Sequence, residues 1–510
     1  MMDETPPRAG AEAVAWDRPE DAHQTWYGGG APVLPLQQSL SLYYYQGWAK
    51  AFRAVNAIGG LRVRYWQGAE YRLWEYQDTL PPEEADAARR ALEQAIPTRW
   101  AQEWLPAIRA DLEQWRAVDL AALADDALAG HLHTLLTRQM AHWEIHAYMG
   151  SAPLAAVQRL VDWYLARFPD APESEPYILL QGQSNTSIEN NSRLWQLSRM
   201  ATPEIVAHLR AESWSRLPET FRQAFAAYVA ETGEQAEQRQ RAVRLVVAYA
   251  EGAAPDPAIE LAQLAQAREA FTASVRARLS PDELATFDDL LACARANHPL
   301  TEDHNFWLDQ QSNRATRRVI DEFARRLVER GSLDATDEVE YLTVYELIQW
   351  GFGLADPLRP RVAARRAEDE GYRRLAAPGY LGKPPQPTPW VDRFSGPPTP
   401  LDAPPGELRG VGASAGRARG AARVATTLDE ALALRPGEIL VCPITDPTWT
   451  PLFALAAGLV TDQGGSLSHA AVVAREYRLP AVIGTHTATR QIATGQIIEI
   501  DGLRGIVRPS

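Results

Sequence analysis

From about residue 38 to 375, apolar side chains recur at spacings of three and four, and nothing else in the sequence restricts the fold as strongly. That period belongs to helices with one buried stripe. It runs through residues 83–94, 121–148, 153–168, 203–229, 235–251, 257–279, 281–296 and 310–330. Two of these stretches open on start signals. Thr202-Pro203-Glu204 and Ser280-Pro281-Asp282-Glu283 each place an N-cap before proline and acids in the first turn. Strand-like alternation is confined to residues 62–66, and no fixed-period repeat is present.

The pattern changes on both sides of this stretch. Residues 1–30 are expected to be a mobile leader, ending in Gly28, Gly29 and Gly30, and residues 31–377 the helical domain. Residues 378–405 hold ten prolines, which makes 378–407 an expected extended, semi-rigid linker. From 408 to 510 short strands are expected at 422–426, 438–441, 458–461, 481–483, 497–500 and 505–507. Helices or turns are expected between them at 429–434, 450–457, 468–477 and 488–492. The fold class is therefore multidomain: a mainly α-helical domain followed by a C-terminal α/β domain.

The formal net charge of −14 argues against nucleic acid or an anionic membrane as partner. Cys293 and Cys442 suggest neither a disulfide framework nor a zinc site. With no signal peptide and no apolar run of membrane-spanning length, a soluble cytoplasmic protein is expected. Of 51 basic residues only Lys50 and Lys383 are lysines, so little is available for the lysine–phosphate contacts common in nucleotide sites.

Chemistry concentrates in Gly464-Gly465-Ser466-Leu467-Ser468-His469-Ala470-Ala471-Val472-Val473-Ala474-Arg475-Glu476. The glycines allow a tight turn, and Ser466 or Ser468 can cap the helix that follows. His469 then lies in the first helical turn. Free N–H groups and the positive dipole end there suit a phosphoryl group and keep the imidazole neutral, as a nucleophile requires. A lone histidine here would read as a helix cap; the bare loop and the small residues after His469 favour the carrier.

The segment 464–476 resembles the phosphohistidine signature of the phosphoenolpyruvate-utilising enzymes, which include pyruvate phosphate dikinase and rifampin phosphotransferase. Residues 441–451, 479–485 and 495–502 resemble the strands around it, so the likeness covers about 408–508. It implies a swivelling domain with His469 as phosphohistidine, supported by Gly464, Gly465, Ser466, Ser468, Thr445 and Arg475. Leu467 stands where plant dikinases carry a regulatory threonine, so that control is not implied.

In the family, an ATP-grasp domain charges the histidine from ATP and Mg²⁺. Residues 38–375 show no phosphate loop, so ATP and Mg²⁺ are expected mainly on a partner ATP-grasp subunit. The pyruvate enzymes carry a barrel after the histidine domain; here the sequence reaches Ser510, so pyruvate and phosphoenolpyruvate are not expected substrates. Residues 177–190, 194–195, 302–307, 313–330 and 337–343 are similar to the acceptor-binding domain of rifampin phosphotransferase. Phenylphosphate synthase divides its work between subunits in the same way.

Two polar clusters could serve the acceptor. Gln181, Gln183, Asn185 and Glu189 either line a cavity or form a solvated, capping loop. Glu302, Asp303 and His304, near His298, either hold a general base or form an acidic helix start. Their spacing fits no metal motif. His131, His133, His142 and His146 share one helical stretch and read as core or pocket lining, and Trp143, Tyr148, Trp163 and Tyr164 as core. The expected activity is phosphoryl transfer through His469 to a small organic hydroxyl acceptor, an alcohol or phenol. The alternative is a non-enzymatic phosphocarrier or regulatory protein with a sensing helical domain.

Overall fold

The computed structural model describes residues 14, 16, 18–28, 32–54, 60–75, 81–232, 236–252, 256–354, 357–375, 377–384 and 401–509. They fall into two units, Met1–Ala152 with Trp307–Gln386, and Pro153–Phe306 with Pro387–Ser510. The division cuts through the helical region, so the second unit joins part of it to the C-terminal α/β domain.

The first unit combines helices with a four-stranded antiparallel sheet in the order β2-β3-β1-β4. β1 is Thr25–Gly28, β2 Gly60–Trp66, β3 Ala69–Glu75 and β4 Tyr380–Gly382. Part of the expected leader is thus a paired strand, and residues 380–382 of the expected linker are its neighbour. Residues 1–13, 29–30 and 385–400 of those two segments lie outside the described residues. β2 and β3 form a hairpin through Gln67 (φ +48°) and Gly68 (φ +75°), the two left-handed residues of a tight hairpin turn.

Two histidines of this unit are held by polar side-chain contacts. His142 lies between Asp111 Oδ2 and Ser312 Oγ, each at 3.0 Å, and His146 Nε2 is 3.1 Å from Asp309 Oδ2. Arg326, buried in the helix Asn313–Glu329, donates to Asp125 Oδ1 at 2.9 Å and to the Leu120 carbonyl at 2.8 Å.

The residues expected as helices at 121–148 and 153–168 form one helix, Asp125–Arg167, continuous through Pro153. The proline removes one backbone donor, but Met149, Ala152, Leu154, Ala156 and Val157 around it are buried. Packing overrides the local break. The reverse holds at 203–229, which divides into Pro203–Arg210 and Glu219–Thr232. Pro218, where the second helix begins, cannot continue the first, and Glu212 turns the chain at φ +52°. Thr202 and Ser280 cap their helices as expected, Ser280 within a full capping box.

The second unit holds an eight-stranded sheet in the order β5-β12-β11-β7-β8-β9-β10-β6. The strands are β5 Leu408–Arg409, β6 Val411–Ser414, β7 Arg417–Val424, β8 Ile439–Cys442, β9 Gly458–Thr461, β10 Ala481–Ile483, β11 Ile497–Asp501 and β12 Ile506–Pro509. β7 to β10 run parallel and the remaining pairs are antiparallel. β8, β9 and β10 are buried at every position, as parallel strands covered on both faces must be. Ile439, Val441, Val460 and Val482 enter one core with Ile498 and Ile500. Leu440, Leu459, Ala481 and Ile483 enter the other. That second core also contains Ala470, Ala471 and Ala474 of the helix His469–Glu476 and Leu194, Phe221, Phe225 and Tyr249 of the helical segment. The helix bearing His469 and the helices of residues 186–251 therefore share one apolar core on one face of the sheet.

Candidate functional site

The site begins at the carboxyl ends of β8 and β9, where ligands collect in parallel α/β sheets. The loops leaving these strands run side by side: Asp462 N donates to the Cys442 carbonyl at 3.1 Å and Gln463 N to the Pro443 carbonyl at 2.9 Å. Gly464 takes φ +111°, a conformation that strains other residues, and a Cβ there would lie 2.9 Å from Ser468 Oγ. The Gly465 carbonyl accepts from Ser468 N at 2.9 Å. Ser468 is the N-cap, its Oγ accepting from Ala471 N at 3.4 Å, and His469 opens the helix.

Arg475 braces the loop from beneath. It is buried, and its Nη2 donates to the Ser466 carbonyl at 2.6 Å and its Nε to the Ala413 carbonyl at 2.8 Å. Its guanidinium lies 3.7 Å from the centroid of the Tyr177 ring. Arg475 thus positions the backbone of the loop. Thr445 lies in the loop after β8, buried, with an Oγ1 that has no hydrogen-bond partner.

The His469 ring is held between two segments far apart in sequence. Its Nδ1 lies 3.1 Å from Glu302 Oε2, and the two side chains are 12 % and 4 % exposed. Facing a carboxylate, Nδ1 carries the proton, so the lone pair of a neutral ring resides on Nε2. Nε2 is buried and has no hydrogen-bond partner among the described residues. A buried, unpaired nitrogen lone pair is costly unless chemistry uses it.

The other acceptor-site candidates have separate structural tasks. Asp303 Oδ1 accepts from Thr186 N at 2.6 Å, and burial holds its carboxyl above the ordinary value. His304 Nδ1 is 2.6 Å from the Leu300 carbonyl, which makes it a donor to its own helix. Gln181 Nε2 donates to the Arg475 carbonyl at 3.0 Å, at the end of the His469 helix, and Gln183 Nε2 to the Arg295 carbonyl at 2.8 Å. Asn185 caps the helix Thr186–Met200, accepting from Ile188 N at 2.9 Å, and Glu189 accepts from Ser184 Oγ at 3.3 Å. Of these residues, Glu302 contacts the His469 ring and Gln181 its helix.

His298, already a candidate beside Glu302, and four neighbours not singled out from the sequence, Glu476, Asn191, Tyr249 and Tyr477, complete the site. His298 Nε2 lies 3.4 Å from Glu476 Oε1, with Glu476 3 % exposed. Burial is the main cause that pushes the Glu476 carboxyl up to about 8 and the His298 ring down to about 4. The two groups are therefore neutral around pH 7 and lie against each other as neutral neighbours. Asn191 Nδ2 donates to Tyr477 Oη at 3.0 Å, and the single O–H of Tyr249 has two acceptors within reach, the Pro451 carbonyl at 2.6 Å and Asn191 Oδ1. The sequence did offer a signal for Glu476: it follows His469 by seven positions, two helical turns along the same face.

Among the described residues no three His, Cys, Asp or Glu side chains gather as a metal site, and no helix is long and apolar enough to cross a membrane.

The sequence is similar to known proteins. Residues 434–505 match the family described as PEP-utilising enzyme, mobile domain. The chain is 32 % identical over 561 residues to the chondramide synthase cmdD of Chondromyces crocatus, covering 97 % of this chain and 14 % of that protein. It is 33 % identical over 215 residues to the uncharacterized phosphotransferase YvkC of Bacillus subtilis, covering 40 % of this chain and 25 % of that one. A rifampicin phosphotransferase of Streptomyces sviceus is 39 % identical over 190 residues, 36 % of this chain and 20 % of that one. The chain thus spans a quarter or less of the length of these relatives.

Proposed function

With residues 434–505 in the mobile-domain family of PEP-utilising enzymes, we propose that this chain is the phosphoryl-carrying part of a phosphotransferase, with His469 as the carrier. The observation that carries this reading is the state of the ring. Nδ1 is held by a buried carboxylate while Nε2, at the start of a helix, has no partner among the described residues.

On loading, the Nε2 lone pair forms the N–P bond and the donor oxygen leaves with its electron pair. On discharge, the acceptor oxygen bonds to phosphorus, the N–P bond breaks, and its electron pair returns to Nε2. Because Nδ1 keeps its proton throughout, the phosphorylated ring is cationic and departs as neutral imidazole. Glu302 stabilises that cation. An in-line acceptor approaches from the far side of phosphorus, away from Nδ1. In this reading Glu302 orients the ring, and the acceptor hydroxyl releases its proton to solvent on the opposite side of phosphorus. Thr445 Oγ1, buried and unpaired, is a donor available to a phosphoryl oxygen.

In this proposal ATP and Mg²⁺ sit on an ATP-grasp protein or domain, a reading supported by the match of residues 434–505 to the mobile domain of PEP-utilising enzymes. The acceptor is a small organic hydroxyl compound, a reading supported by the likeness to a rifampicin phosphotransferase. The histidine domain moves between donor and acceptor.

The test supplies labelled ATP, Mg²⁺ and a cognate ATP-grasp protein. The chain is expected to take up a label that is acid-labile and base-stable, the signature of a P–N bond. An equal label on His469→Ala would refute the assignment.

A further inference from the structure

We propose that Glu476 positions the carrier: held as a carboxylic acid between His298 and Glu302, it leaves Glu302 the single anion facing the His469 ring and so fixes that ring with Nδ1 protonated and Nε2 open to phosphorus. The inference rests on His469 being the carrier.

The argument begins with placement. Glu476 and His469 stand at the two ends of one eight-residue helix, on the same face. Each meets a group from the segment His298–Glu302: His469 meets Glu302 at 3.1 Å and Glu476 meets His298 at 3.4 Å. All four side chains are 12 % exposed or less. Glu476 Oε2 is buried without a partner. Two carboxylates in such a space repel strongly, and the arrangement is stable when one holds a proton.

The surrounding groups decide which one. Glu302 has a partner, the His469 Nδ1, at 3.1 Å. Glu476 faces the neutral His298, and the charge of Glu302 opposes its ionisation. Arg475 and Arg268 act in the other direction but are outweighed by burial and Glu302. Tyr477, the remaining ionisable neighbour, is itself held neutral by burial. The proton therefore rests on Glu476, whose loss would place a second negative charge beside Glu302. Two facing anions would draw protons toward the cluster and loosen the single Nδ1–H contact that sets which ring nitrogen is the nucleophile.

The test reads the ring directly. Ring-¹⁵N-labelled histidine in the chain reports the His469 tautomer by NMR across pH 6 to 9.5, with His469→Gln for assignment. Phosphoramidate, a small phosphoryl donor, reports loading without ATP or a partner. The wild-type chain should show the Nδ1–H form at neutral pH, and a step in the His469 resonances with a midpoint near 8, accompanied by slower loading above it. In Glu476→Gln, which cannot ionise, that step should vanish while the Nδ1–H form persists. His298→Gln keeps the carboxyl and changes its partner, so it should move the midpoint. An unchanged step in Glu476→Gln, an unmoved midpoint in His298→Gln, or no step in the wild type with His469 still loaded would overturn this inference alone. Failure of phosphoramidate to place phosphorus on His469 in any form of the chain would overturn the carrier reading and this inference with it.

Discussion

The buried pair Glu476–His298 should make the stability of the second unit depend on pH in a way that one substitution removes. Its sign follows from which state holds the proton. Glu476 releases its proton near 4.5 when unfolded and near 8 when folded. Between those values the folded chain binds a proton that the unfolded chain has lost, so stability falls as pH rises. His298 acts oppositely: its ordinary value of 6.5 drops to about 4 in the fold, so its contribution to stability rises between those two pH values. The two effects largely offset each other up to pH 6.5. From pH 6.5 to 8 Glu476 acts alone, and at roughly 1.4 kcal/mol per pH unit the loss is about 2 kcal/mol. Urea unfolding of the wild type and of Glu476→Gln at pH 6.5 and pH 8 measures it. The wild type should lose about 2 kcal/mol more than the variant between the two conditions. Equal losses in both proteins would show that Glu476 carries no proton in the folded state.

Three other substitutions probe the same site. Arg475→Met should destabilise the second unit by about 3–5 kcal/mol, because two buried carbonyls lose a charged donor and the Tyr177 stack disappears; a change in the unfolding midpoint equivalent to under about 1 kcal/mol would contradict the bracing role. Glu302→Gln should slow phosphorylation of His469 by about 10- to 100-fold, the loss of one charge-assisted hydrogen bond of about 1.5–3 kcal/mol, in rapid-quench loading; an unchanged rate would remove Glu302 from the mechanism. Gly464→Ala should cost about 1–3 kcal/mol in local stability, since φ +111° and a Cβ 2.9 Å from Ser468 Oγ both resist it, visible as faster hydrogen exchange across 464–472.

What the sequence made legible was local. The period-three-and-four spacing identified helices, and Ser280-Pro281-Asp282-Glu283 marked a helix start to the residue because its capping box is made by neighbours alone. The loop and helix around His469 were legible for the same reason: glycine, cap and helix lie within about a dozen residues. The hairpin Gly60–Trp66 and Ala69–Glu75 was half seen, because Gln67-Gly68 is a weaker turn signal than asparagine before glycine. β6, Val411–Ser414, was not expected, since two of its four residues are glycine and alanine and it gains its order from pairing with β10. The helix through Pro153 and the division of the helical region between two units depend on packing, which local pattern cannot report. The candidate site divides in the same way. Glu302 was a candidate because it is acidic and near other ionisable groups, but its task became readable only once folding placed it against a ring 167 residues away. Asp303 and His304 carried the same sequence signal, and the structure places them against Thr186 and Leu300.

The central claim is that Nε2 of His469 carries the phosphoryl group while Nδ1 keeps its proton. ³¹P–¹⁵N correlation on the ring-labelled chain after phosphoramidate treatment tests it directly. The expected result is one phosphorus resonance coupled to Nε2 of His469, absent in His469→Ala and discharged by acid. Phosphorus bound to Nδ1, or to another side chain with His469 unmodified, would contradict the account.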